Sequence, residues 1–120
     1  MVPGRVQANR VLAASEQREV RSVTAKHVAW FRFKDGVSED RINEHMRAVR
    51  TLADVVPVVS AIDCGKSYTD RAGGLTHCII VTLPDRASLP QYLEHPRHLP
   101  IAEALVTDIA ELRVMDLDLG

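Results

Sequence analysis

Aromatic residues are scarce: the 120-residue chain holds two Phe, two Tyr and one Trp. Without aromatics interleaved among basic residues there is no platform on which bases could stack. A formal net charge of −1 gives no general attraction to a polyanion. Nucleic acid is therefore not an expected partner. No run approaches the roughly 18 apolar residues that span a bilayer, so no membrane partner is expected and the chain is read as cytoplasmic. Its two cysteines, Cys64 and Cys78, form neither a CxxC pair nor a Cys/His cluster of zinc spacing. They are read as free thiols in a reducing compartment, the alternative being a redox pair across neighbouring strands. No carboxylate sits at ligand spacing beside the histidines, so no metal is expected. No cofactor is expected either.

What is present fits one ordinary domain, with 46% apolar and 26% charged residues. The first 26 residues carry Arg5, Arg10, Arg18, Arg21 and Lys26 against only Glu16 and Glu19. Residues 1–25 are read as a basic extension, loosely ordered or packed on a partner subunit, and dispensable for the core. A transit peptide fits its Arg-rich start only weakly, and Val11 to Ala14 is too short for a secretory core.

Residues 26–120 form the patterned domain. From His27 to Phe33 the sequence alternates, with His27, Ala29, Phe31 and Phe33 on one face and Val28, Trp30 and Arg32 on the other. That period of two, ended by Lys34-Asp35-Gly36, predicts a strand. Ser38 offers an N-cap, Glu39 and Asp40 suit a first helical turn, and Ile42, Met46, Val49 and Leu52 follow at helical spacing. Pro57 ends that helix. A strand over residues 58–64 follows, then a Gly-rich loop to residue 75. A strand over 76–83 comes next, placing His77, Ile79, Val81 and Leu83 on one face and Cys78 and Ile80 on the other. A helix begins at Pro84-Asp85 and breaks at Pro96, because proline disfavours helical geometry in the residue before it. A second helical piece runs from about Pro100, with Ile101, Leu105 and Ile109 in register, and residues 111–119 close the chain as a strand.

The order βαββαβ is the ferredoxin-like α+β arrangement, an antiparallel sheet with helices on one face. The opposite face would carry Val28, Trp30, Cys78 and Ile80, too apolar to stay wet. The expected cover is an identical subunit about a two-fold axis, giving a homodimer of the dimeric α/β-barrel kind.

Four of the five histidines stand out by position. His27 and His77 begin strands on the core-facing side, while His95 and His98 bracket the helical break in Tyr92-Leu-Glu-His-Pro-Arg-His98. His45, beside Met46, is placed at the edge of the interface. A cavity between sheet and helices is expected to collect His27, His77, His98 and Tyr92. A histidine at a helix N-terminus is favoured in its neutral form, which a general base requires, and Tyr92 can donate to an oxyanion or enolate. The plainer alternative is that each imidazole satisfies a backbone group at the core's edge. For His95, in a His-Pro turn, a structural latch is the stronger reading.

Three stretches, His27-Val-Ala-Trp-Phe-Arg-Phe-Lys34, Thr76-His-Cys-Ile-Ile-Val-Thr-Leu83 and Tyr92-Leu-Glu-His-Pro-Arg-His98, resemble the stress-responsive A/B barrel (Dabb) family over residues 26–119. The resemblance implies a dimeric α+β barrel, some of whose plant members are linked to stress or defence. A plant polyketide cyclase of that family has a catalytic tyrosine and histidine at positions matching Tyr92 and His98. Its other pocket histidines match His27, His77 and His95. The first helix here lacks aromatics to line an alkyl tunnel, and Pro100 follows the His98 motif, so the resemblance does not carry the substrate across. Three functions follow as expectations: a homodimer binding a small apolar or polyketide-like ligand; a cofactor-independent cyclase, lyase or isomerase with His98 as base and Tyr92 as donor; or a monooxygenase of the related barrel fold.

Overall fold

A computed structural model describes residues 24–120. The extension expected over residues 1–25 lies almost wholly outside them. Strand β1 runs Ala25–Phe33, helix α1 Glu39–Val55, β2 Ala61–Lys66 and β3 His77–Leu83. A 3-10 turn over Arg86–Ser88 leads into the short α2, Leu89–Leu93. Helix α3, His98–Asp108, and strand β4, Ile109–Asp118, complete the chain. The strands form one antiparallel sheet in the order β2-β3-β1-β4.

Local chemistry sets these boundaries. Gly36 takes a φ of 89°, which a side chain would resist, and turns β1 into α1. Ser38 caps α1 by accepting from the Arg41 amide at 3.1 Å. Helix α1 buries His45, Met46, Val49 and Leu52. The last three pack on Phe31, Ile79, Val81 and Leu83 from the inner sheet face. Each large apolar side chain so buried stabilises the fold by about 1.5–3 kcal/mol.

Three boundaries differ from the sequence expectation. Strand β2 begins at Ala61 and not at Val58, because the Val59 amide closes a turn onto the Val56 carbonyl at 3.0 Å. Helix α3 starts at His98, two residues before Pro100. A proline in the first helical turn loses no hydrogen bond, since the amides there have no partner within the helix. Ile109 opens β4, opposite Phe33, and does not extend the helix.

His45 is a core residue and does not edge the outer face. Its ring stacks on Phe33 at 5.9 Å, and its Nε2–H donates to Asp108 Oδ2 at 2.7 Å. Arg41 Nε donates to the same oxygen at 2.9 Å. This clasp ties α1 to the corner between α3 and β4. The hydrogen bond from His45, with a second from Arg41, holds the Asp108 carboxyl below the usual carboxylate range. A carboxyl depressed by folding adds stability above its unfolded pKa, and that stability is lost as pH falls through the folded value. The melting-temperature difference between wild type and Asp108→Ala is therefore expected to be constant above about pH 5 and to shrink below it. Melts across that range check it; a difference that ignores pH would contradict it.

On the outer face Val28, Trp30, Cys78 and Ile80 are only partly buried, joined by Met115 and Leu117 from β4. An ion group borders the patch. Glu111 accepts from Arg32 at 3.2 Å and from Arg113 at 2.7 Å.

Candidate functional site

The register places His27 opposite Val81 and His77 opposite Phe31. Both histidines occupy the inner face, but four residues of strand, roughly 13 Å, separate them. They therefore serve different surroundings.

His27 faces a cavity of about 230 Å³ between the sheet and the helices α1, α2 and α3. Its walls are apolar, built from residues such as Ala29, Leu52, Ile101 and Leu105. The polar groups among its lining residues are His27, Tyr92 and His98. The volume falls below the roughly 300–1,000 Å³ typical of drug-sized ligands, so the space suits a small molecule. Val106, Leu112 and Val114 line it and stay exposed, so it opens along the β4 edge.

Tyr92 is buried, at 3% exposure, yet its hydroxyl has no hydrogen-bond partner among the described residues. Buried phenols usually find one. Burial pushes the phenol up to about 12, so it remains a proton donor throughout the neutral range. Its ring lies 4.4 Å from that of His98 and 5.9 Å from that of His27, centroid to centroid.

His98 is the first residue of α3. Its Nδ1 lies 2.9 Å from the Leu93 carbonyl, an acceptor only, so Nδ1 carries the hydrogen and Nε2 is left as the free base. Burial is the main cause that lowers the His98 pKa. The Leu93 bond opposes this, and charge on His27 or His95 adds to it. Desolvation thus acts in the same direction as the helix dipole, toward the neutral imidazole.

His27 Nδ1 lies 2.5 Å from Asp116 Oδ1. A carboxylate only accepts, so this nitrogen also carries hydrogen, leaving Nε2 with no partner among the described residues. No sequence pattern points to Asp116. Its only signal is its place opposite His27 in the β1–β4 register, which the sequence does not display.

Two expected ligand-binding residues are not brought to this cavity. His77 is buried between Phe31 and Phe33, with ring centroids at 6.1 and 5.2 Å, and its Nδ1 meets the Thr76 hydroxyl at 2.8 Å. His95 Nδ1 accepts the Arg97 amide at 3.0 Å, latching the turn that delivers His98. Cys64 pairs with inward-facing Ile79, whereas Cys78 alternates to the outer face, so no redox pair forms. Burial raises the pKa of both thiols, the reverse of activation.

A ferredoxin-like α+β domain with a phenol and two imidazoles around an apolar cavity is the class this geometry defines. The model of the Stress responsive A/B Barrel Domain matches residues 25–118, and the chain belongs to that family. It is 29% identical over 93 residues to the stress-response A/B barrel domain-containing protein HS1 of Arabidopsis thaliana, covering 76% of this chain and 85% of that one. It is 24% identical over 96 residues to olivetolic acid cyclase of Cannabis sativa, covering 78% and 95%. Among solved structures, hydroxynitrile lyase from Passiflora edulis superposes with a TM-score of 0.77 at 19% identity, covering 82% and 95%. A dimeric ferredoxin-like protein of unknown function from Thermobifida fusca gives 0.71 at 21%, covering 80% and 91%. The last two likenesses establish fold alone.

Proposed function

We propose that this protein is a homodimer that binds a small, neutral, largely apolar carbonyl compound in the cavity and moves a proton on it. Tyr92 holds the carbonyl oxygen, and His98 Nε2 takes a proton from the adjacent carbon. The observation that carries this reading is the buried Tyr92 hydroxyl without a partner among the described residues, on a cavity wall beside a neutral imidazole. A ligand oxygen would complete that hydrogen bond. A phenol also stabilises an enolate more than a ketone, which is the difference that lowers a barrier. A relative whose name denotes a cyclase supports chemistry over mere storage. For the dimer, the support is the apolar outer face and the dimeric state of solved neighbours.

Among the described residues no Lys or Arg lines the cavity, so charge discriminates between ligands. In calorimetric titration acetophenone is expected to bind, while benzoate, of similar size but anionic, is not. Tyr92→Phe should weaken acetophenone binding about 5- to 10-fold, the worth of one neutral hydrogen bond. Equal binding of the two probes, or indifference to Tyr92→Phe, would contradict the assignment.

A further inference from the structure

We infer that His27, held by Asp116, is a proton donor working opposite His98, so that the cavity takes a proton from one atom of its substrate and returns one to another. The inference rests on the proposed function and names the reaction type at the same site. Both imidazoles lie against the Tyr92 ring, and each has its Nδ1 anchored and its Nε2 unpartnered among the described residues. Their anchors differ. His98 donates to the neutral Leu93 carbonyl, so a proton gained there brings an uncompensated charge into an apolar site. His27 donates to the Asp116 carboxylate, which offsets an imidazolium and fixes the ring, as the acid of a His–Asp pair does. Charge on His27 further disfavours charge on His98. The two anchors thus suit His98 to take a proton and His27 to give one.

Asp116 also faces a second cleft, of about 390 Å³, lined by His27, Arg86 and Asp118 among others. The Asp116 side chain is 46% exposed, whereas that of His27 is 14% exposed. The proton that His27 Nε2 gives up is regained at the same nitrogen from solvent, which reaches the cavity along its open β4 edge.

The simplest such reaction on a neutral ketone shifts a double bond. In a β,γ-unsaturated ketone His98 Nε2 takes the α-proton, and the C–H electron pair becomes the dienolate whose oxygen Tyr92 holds. The α,β double bond then forms as the β,γ pair takes the proton of His27 Nε2–H at the γ-carbon. The product is the conjugated isomer. His98 returns its proton to solvent and His27 regains one, so no oxidant or co-reactant is consumed.

The test uses the full chain and 3-cyclohexenone, with two readouts. Exchange of α-hydrogen in D₂O needs His98 and Tyr92 alone; conjugation to 2-cyclohexenone, followed by ultraviolet absorbance, needs His27 as well. His27→Ala is expected to lower the ratio of conjugation to exchange about 10²- to 10⁴-fold. His27→Gln, which can still donate to Asp116, keeps the test valid if the alanine variant folds poorly. Asp116→Asn, a change at a positioning residue, should lower conjugation less and alter its pH profile, while the pH profile of exchange stays the same. Loss of both readouts together in His27→Gln, or conjugation indifferent to His27 and Asp116, would overturn the inference. Absence of exchange in the wild type would overturn the proposed function itself.

Discussion

Replacing Trp30 with glutamate is expected to turn a dimer into a monomer at micromolar concentration. Trp30 stands mid-strand on the outer face, opposite Cys78 on β3 and Arg113 on β4. Its neighbours on that face, Val28, Ile80 and Met115, form the apolar patch that a second copy would cover. An unpaired charge buried at such a contact costs about 3–5 kcal/mol, and two-fold symmetry counts it twice. The dissociation constant should rise by more than about 10⁴-fold. Sedimentation should show about twice the chain mass for wild type and a single chain for Trp30→Glu, with an unchanged far-UV spectrum. Ile80→Glu should act alike. A wild-type monomer, or a Trp30→Glu dimer of unaltered strength, would remove the two-sheet assembly.

The second large effect belongs to His98. His98→Ala should lower α-hydrogen exchange of a bound ketone by about 10²- to 10⁴-fold, the contribution of a positioned base. Tyr92→Phe should cost up to about 10²- to 10³-fold, as the loss of one oxyanion donor does. The pH profile carries the sign of the shift. Burial lowers the His98 pKa, so the imidazole stays neutral to a pH below its ordinary value of 6.5, and the acid limb of the rate should lie below that value. On the basic side the Tyr92 phenol, raised to about 12, imposes no limit in the accessible range. If His98 were only a latch, His98→Ala would cost about 1–3 kcal/mol of stability through the unpaired Leu93 carbonyl and leave exchange untouched.

The strand faces were legible because a period of two is written directly into His27 to Phe33 and His77 to Leu83. Alternation assigns a face and says nothing of position along the strand, which is why His77 was grouped with His27. Only the antiparallel register separates them. The same blindness hid Asp116, one acid in an Asp-rich terminal strand until β4 is laid beside β1. The side chains of Val58 and Val59 suit a strand, yet β2 begins only at Ala61. Backbone hydrogen bonding decides instead, and the Val59 amide is committed to a turn. Tyr92 and His98 are legible together because Pro96 forces a break between their helices, and the turn over residues 94–97 brings the two rings to 4.4 Å. The missing partner of the Tyr92 hydroxyl is a property of packing that no sequence pattern states.

The most direct measurement is a crystal structure of the protein with acetophenone bound. The ketone oxygen should lie roughly 2.6–3.0 Å from Tyr92 Oη, an ordinary O–H···O contact, with the methyl carbon turned toward His98 Nε2. The His98 ring should keep its bond to the Leu93 carbonyl. A ketone seated elsewhere, or one in the cavity with its oxygen turned away from Tyr92, would contradict the site.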